Sequence, residues 1–200
     1  MEKTIIKKII LAVGAILIVA GLLAYLLSSL EGVVIPADFT AARQKAAIVS
    51  QDIVNITNET GKSIELANRA ESEGDLQRIL GLIEEAKKSN TIAYQKAFEL
   101  SQSIQQMAES LKGVQSVSQQ IGFEAVAMEL SLVSEFISYT GTLNDFLNNL
   151  AKSVSNGTAN GGTIGDNLRD INNRVVLINA LNRNFADKMA AFDRYSDQNK

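Results

Sequence analysis

The chain has 200 residues, of which 46% are apolar and 20% charged, which suits one globular domain or at most two. Its 19 basic and 22 acidic residues give a formal charge of -3, which argues against a nucleic-acid-binding protein with a clustered basic surface. Cysteine and histidine are both absent from the sequence, which excludes disulfides, thiolate or imidazole metal ligands and histidine-activated nucleophiles.

Turn-forming residues are too rare for an all-β protein. The sequence contains one proline and 13 glycines, whereas short strands need a turn signal about every 8 to 12 residues. The predicted fold class is therefore all-α.

The first predicted element is a transmembrane anchor over residues 9–30. These 22 residues carry no charge and form a helix of about 33 Å, long enough to cross a bilayer. Lysines in the preceding stub, residues 1–8, and the absence of a basic residue between Glu31 and Arg43 predict a cytoplasmic N-terminus. The alternatives are a cleaved signal peptide, whose apolar stretch is normally about 7 to 15 residues, and a buried core helix.

Small residues in this segment recur at spacings that allow two membrane helices to approach closely. Gly14, Gly21 and Ser28 are spaced by heptads, and Ala20 with Ala24 forms a small-xxx-small pair. These five residues are candidates for packing between transmembrane helices. The alternative is that they simply face lipid, since glycine and alanine are common in membrane helices.

A linker over residues 31–36 leads into a predicted extracytoplasmic helical bundle over residues 37–200. Apolar residues recur there at alternating spacings of three and four, which predicts long amphipathic helices resembling those of coiled coils. The predicted helices cover about 37–72, 75–112, 116–155 and 164–196. Matched lengths and short connections favour an antiparallel up-down-up-down four-helix bundle.

Three breaks separate these helices. Gly74 followed by Asp75 combines a helix-ending glycine with a helix-capping aspartate. Gly113 precedes Ser116–Gln119, which fits a capping box, and residues 156–165 form a glycine-rich loop. If Gly113 does not break the chain, the second and third helices fuse into one long rod.

The sequence contains no recognisable catalytic, cofactor or metal site. The remaining carboxylates occur at ordinary surface spacings, and the glycine-rich segment lacks the Lys-Ser/Thr pair of a phosphate-binding loop. We therefore expect a non-enzymatic protein without cofactor or metal. Asn90, at a seam position, is predicted to be a structural polar residue that pairs with a polar group such as Thr60.

Three Asn-x-Ser/Thr sequons are possible glycosylation sites if the host modifies its exterior. Their asparagines are Asn55, Asn58 and Asn156, of which the first two lie in a predicted helix.

The third predicted helix carries a second apolar stripe beside its seam. Its members are Phe123, Val126, Leu130, Val133 and Ile137. Because an apolar face this wide must be covered, it is either shared by the flanking helices or forms a surface for a protein partner or a second copy. The same helix is acidic through Glu124, Glu129, Glu135 and Asp145, so such a partner would present Lys or Arg around an apolar centre.

These features predict a single-pass protein of the prokaryotic cytoplasmic membrane, with its N-terminus inside and its bundle facing the periplasm or cell exterior. It would act as a protein–protein interaction, scaffold or self-assembly module of the cell envelope, without a nucleic-acid partner. The alternative is a ligand-binding or sensory accessory domain that signals through a separate membrane partner. An oligomer interface including Leu130 and Val133 would favour the first, and a pocket between helices near Asn90 or Tyr139 the second.

Overall fold

A computed structural model of the chain describes residues 35–114, 116–156 and 161–198. Helix α1 spans Ala37–Glu73, α2 spans Leu76–Ser110, α3 spans Ser116–Asn156 and α4 spans Gly161–Gln198. One 3-10 turn, Leu111–Gly113, follows α2. Four helices that pack in pairs, with no strand in the described ranges, confirm the predicted all-α class.

The predicted membrane segment lies outside the described residues. The same holds for the stub 1–8, for residues 31–34 of the linker and for the five candidate residues of transmembrane packing, Gly14, Ala20, Gly21, Ala24 and Ser28. Among the helices described, none combines the length and apolar character that a bilayer span requires.

Neighbouring helices run antiparallel, because residue numbers in contacting pairs rise on one helix as they fall on the other. The pairs are Asp52–Lys96 and Glu73–Arg78 for α1 and α2, Asn90–Thr140 and Leu111–Gln119 from the end of α2 to α3, and Glu124–Lys188 and Asn149–Asn167 for α3 and α4. Arg43 with Asp193 then joins α1 to α4. The chain therefore goes up, down, up and down in sequence.

The break between α1 and α2 forms where the sequence predicts it. Gly74 adopts a left-handed conformation with φ 74°, which a residue without Cβ adopts at little cost. The amides of Gly74 and Asp75 donate to the carbonyls of Glu71 and Ala70, which is the Schellman arrangement. The Asp75 carboxylate then accepts a bond of 3.0 Å from the Arg78 amide and so caps α2.

The connection between α2 and α3 also breaks the helix, so the continuous rod is wrong. Val114 is extended after the 3-10 turn, and the Gln119 side chain donates to the Leu111 carbonyl at 2.9 Å. Gly122 permits close packing here, because a Cβ would lie 2.8 Å from the Leu111 side chain and 3.0 Å from the ring of Phe192.

The core runs along the whole bundle, but its four seams differ. Helices α1 and α2 share the most extensive contact, and buried alanines such as Ala46, Ala86 and Ala93 allow this close approach. The backbones of α1 and α4 approach least among neighbouring helices. Long side chains bridge that seam, where the rings of Phe39 and Phe192 have centroids 5.2 Å apart.

Asn90 is a buried structural residue, but its predicted partner was wrong. Its side-chain amide donates to the Thr140 carbonyl at 2.8 Å, which joins α2 to α3. Thr60 bonds within α1, where its hydroxyl donates to the Ile56 carbonyl. A threonine hydroxyl on a helix readily finds the carbonyl four residues earlier, so it does not need a partner across the seam.

Candidate functional site

A cavity of about 50 Å³ lies between the helices near the middle of the bundle, and we call it the central cavity. All four helices contribute to its wall, which is mainly apolar. By the usual volume per enclosed water, it offers space for about three or four non-hydrogen atoms.

The central cavity exists because small and polar side chains replace large apolar ones at this level of the core. Helix α1 contributes Ser50 and Thr57, which are one heptad apart, and α2 contributes Ala97. Helix α4 contributes Asn179 and Asn182. None of these side chains fills the volume that a leucine would fill, so space remains at the bundle axis.

Glu129 on α3 brings a carboxyl group to this wall. The residue is only 3% exposed, and its Oε2 atom has no hydrogen-bond partner among the described residues. Burial raises the pKa of Glu129 to about 8, although the nearby positive charge of Arg43 acts in the opposite direction. The carboxyl group is therefore mostly protonated at neutral pH.

Arg43 and Asp193 form a buried ion pair, and the charge of Arg43 acts on the Glu129 carboxyl. Arg43 Nη1 and Nη2 donate to the two oxygens of Asp193 at 2.8 and 3.0 Å, which is the bidentate geometry of a strong pair. The Arg43 Nε group has no partner among the described residues. Since the two charges cancel, an ionised Glu129 would leave one net negative charge in the core.

Three aromatic rings complete the wall of the central cavity. Phe136 and Tyr139 stack on α3 with centroids 5.8 Å apart, and Phe185 faces the cavity from α4. Burial raises the pKa of Tyr139 above its ordinary value, so its hydroxyl stays protonated and can donate a hydrogen bond. The site therefore combines a carboxyl group, side-chain amides and aromatic faces.

Glu129 was predicted as a surface acid because three-four spacing from Ala125 to Leu132 favours the neighbouring apolar residue, Met128, as the seam residue. That assignment passes through Met128, which is only half-buried. Spacings of three and four carried back from Phe136 through the buried Val133 lead instead to Glu129 and then to Val126 and Gly122, which are all buried. The signal was thus present, but an acidic residue is rarely expected at a seam position.

The predicted stripe on α3 is split between the core and the surface. Val126 and Val133 are 3% and 2% exposed and lie in the core, where Val133 lines the central cavity. Ile137 is half-buried against the core, whereas Phe123 and Leu130 remain 39% and 41% exposed. Helix α2 covers the valines, because the bond from Asn90 to Thr140 brings it against this flank of α3.

Exposed apolar side chains on α2 extend this surface. Tyr94 and Phe98 are exposed and pack edge to face with ring centroids 5.0 Å apart. They lie on the flank of α2 opposite Lys96, which contacts α1, and therefore beside α3. The antiparallel register places Phe98 at about the level of Leu130. Together with Phe123, the residues Tyr94, Phe98 and Leu130 form what we call the outer patch.

The predicted acidity of α3 is mostly neutralised within the bundle. Glu124 accepts a bond from Lys188, which lowers the pKa of its carboxyl group. Glu135 pairs with Arg174 at 2.6 Å. With Glu129 buried, Asp145 is the exposed member of the four predicted acids.

The sequon asparagines all lie in helices. Asn55 and Asn58 are in α1, where Asn55 is exposed and accepts a bond from Gln51, and Asn156 is the exposed last residue of α3. The hydroxyl-bearing residues of the first two sequons, Thr57 and Thr60, are buried.

Within the ranges that the structure covers, no group of three acidic side chains converges as metal ligands would. No protein family model matches the chain, and no curated protein or solved structure is significantly similar to it.

Proposed function

We propose that this chain is a non-enzymatic, membrane-anchored binding protein of the prokaryotic cell envelope, whose helical bundle holds a small ligand in the central cavity. It would act as a sensory or ligand-binding accessory domain and pass its state to a separate membrane protein. The supporting observation is a mainly apolar cavity between four helices, lined by a buried carboxyl group, one oxygen of which has no hydrogen-bond partner in the part of the chain that the structure describes.

The anchor in this proposal rests on the sequence. Residues 9–30 are uncharged and long enough to span a bilayer, and the lysine-rich stub before them favours a cytoplasmic N-terminus. The bundle then begins at Ala37, directly after the linker, and would stand on the outer face of the cytoplasmic membrane. Without cysteine or histidine, the chain lacks the groups that most enzymes use near neutral pH.

Ligand binding is favoured because an unfilled cavity and an unpartnered polar atom each lower stability. Buried polar groups are nearly always hydrogen-bonded in native proteins, and each exception requires an explanation. A ligand that fills the central cavity and reaches Glu129 would remove both costs at once. A core with only a structural role would be better served by a leucine at this seam position.

Xenon, which enters dry apolar cavities, tests whether the central cavity admits a guest. In the full-length chain in detergent micelles, we expect xenon pressure to shift the methyl NMR signals of Val133 and Ile178. In Val133→Leu the Ile178 signal should no longer shift, because the substitution adds one methylene group to the cavity. Val126→Leu, one heptad away and outside the cavity, should retain this shift. If xenon does not shift the Val133 and Ile178 methyl signals of the unchanged chain, the proposal is contradicted.

Self-association is a second candidate function, and the outer patch favours it. Tyr94 and Phe98 on α2 and Leu130 on α3 expose apolar surface on the same side of the bundle. Contiguous exposed apolar surface commonly marks an interaction site, and here the proposed occupant is a second copy of the chain. This candidate retains the scaffold or self-assembly function that the sequence predicts.

A membrane-impermeant, lysine-reactive crosslinker added to intact cells tests this association together with the outward orientation. We expect a crosslinked dimer of the full-length chain. Phe98→Glu combined with Leu130→Glu should reduce the dimer at least about fivefold, because burying charge in an apolar contact is costly. Ile48→Glu, at an exposed apolar position on α1, is the matched control. If the unchanged chain, the double variant and the control crosslink equally, the outer patch is excluded as the dimer interface. If the crosslinker does not modify the protein in intact cells, the outward orientation of the bundle is contradicted.

A further inference from the structure

We infer, building on the proposed ligand-binding function, that the ligand of the central cavity is a small organic ammonium ion whose positive charge is balanced by the Glu129 carboxylate. The juxtaposition of this carboxyl group with three aromatic rings and two side-chain amides carries the inference.

The charges around Glu129 leave room for one further positive charge. Among the described residues, Arg43 on α1 acts on the charge of Glu129 and is paired with Asp193 on α4, Tyr139 on α3 shares the cavity wall, and α2 contributes the apolar Ala97 and Leu100 to that wall. Arg43 is already neutralised by its bidentate bonds to Asp193. An ionised Glu129 is therefore balanced either by its own proton or by a cation in the cavity.

The unpartnered oxygen of Glu129 gives the cation a place to bind. Oε2 is buried and receives no hydrogen bond from residues 35–114, 116–156 or 161–198, and Glu129 lines the central cavity. An ammonium group has several N–H donors and no acceptor, which matches a carboxylate oxygen that lacks a donor. Asn182, which is buried on α4, and Asn179 beside it offer further acceptors through their side-chain carbonyl groups.

The rest of the wall suits the apolar part and the charge of such a ligand. Phe136, Tyr139 and Phe185 present rings to the cavity, and aromatic faces attract cations through their quadrupoles. An anion would meet the Glu129 carboxyl and these negative ring faces. A neutral apolar molecule would fill the space but leave Oε2 without a donor.

The volume limits the size of the ligand. A cavity of about 50 Å³ accommodates about three or four non-hydrogen atoms, which corresponds to a short alkylammonium ion. n-Propylammonium, with four such atoms, is therefore a suitable probe, and 1-propanol is a neutral molecule of the same size.

The test compares the two probes on the full-length chain in lipid nanodiscs, at pH 7 and constant chloride concentration. Binding is followed through the methyl NMR signals of Val133 and Ile178. We expect propylammonium to bind at least about tenfold more tightly than propanol, because the ion pair and the cation–π contacts favour the cation. We also expect its affinity to increase between pH 6 and pH 8, since binding displaces the proton of Glu129.

Glu129→Gln keeps the shape of the side chain but removes its charge, so the preference for the cation should disappear and the pH dependence with it. Glu85→Gln, at an exposed position on α2, should retain both. Equal binding of the two probes by the unchanged chain would overturn this inference and leave the proposed ligand-binding function standing. Binding of neither probe would overturn the proposed function as well. Unchanged cation preference in Glu129→Gln would exclude Glu129 as the counter-ion.

Discussion

Glu129→Gln is expected to stabilise the bundle by about 3 kcal/mol at pH 7, the opposite of the usual effect of changing a buried polar residue. Burial raises the pKa of Glu129 from its ordinary value of 4.5 to about 8 in the folded chain. At neutral pH the unfolded chain gains a hydrated carboxylate that the folded chain cannot hold without cost. Glutamine has a similar shape, and its side chain is neutral in both states.

The pH dependence of the stabilisation by Glu129→Gln shows whether the raised pKa of Glu129 is its cause. Between pH 4.5 and 8 the folded chain binds more protons at this position than the unfolded chain, so the stability of the unchanged protein decreases as the pH rises through this window. Above about pH 8 both states are ionised and the contribution becomes constant. The advantage of Glu129→Gln should therefore be under about 1 kcal/mol at pH 5 and about 3 kcal/mol at pH 7.

Denaturant unfolding of the full-length chain in micelles, followed by circular dichroism, measures this difference. Glu85→Gln is the control, because this exposed carboxylate has no buried environment to lose. The explanation fails if Glu129→Gln destabilises the bundle at pH 7, or if its effect is the same at pH 5 and pH 7.

Asp193→Asn is expected to cost about 3 kcal/mol, because it removes one partner of a buried bidentate pair and leaves the Arg43 charge in the core. The pair also joins α1 to α4 at the seam where their backbones approach least. Asp187→Asn, at an exposed position on the same helix, should change stability by less than about 0.5 kcal/mol.

The loss of Asp193 should also change the behaviour of Glu129. Arg43 would then lack its counter-ion, and its charge would lower the pKa of Glu129. The decrease in stability between pH 5 and pH 8 should accordingly be smaller in Asp193→Asn than in the unchanged chain. In a Glu129→Gln background Asp193→Asn should cost more, since no carboxyl group remains to balance Arg43. Additive effects in this double-mutant cycle would show that the groups are not coupled.

The helical architecture could be predicted because it depends on repeated local signals. The three-four spacing of apolar residues predicts each helix. Gly74 and Asp75 predict the first break, because the helix end and the helix cap that they form depend only on neighbouring residues. The second break depends less on local signals, because the turn after Leu111 is held partly by the side chain of Gln119, which lies eight residues away.

The candidate site could not be predicted because it depends on contacts between distant parts of the chain. Arg43 and Asp193 are 150 residues apart, and no local pattern identifies them as partners. Glu129 is a typical surface residue until its exact seam position is known. The stripe on α3 failed as a continuous surface for a similar reason, since Val126 and Val133 are covered by α2, whose position depends on the register that Asn90 and Thr140 set.

The contact between Phe39 and Phe192 indicates how the bundle would be oriented relative to the membrane if the proposed anchor holds it there. It brings the first turns of α1 beside the last turns of α4, together with the turn between α2 and α3. The start of α1 and the end of α4 therefore lie at one pole of the bundle. In the proposed orientation the opposite pole, which holds the hairpin at Gly74, the end of α3 and the start of α4, would project farthest from the bilayer and meet other molecules first.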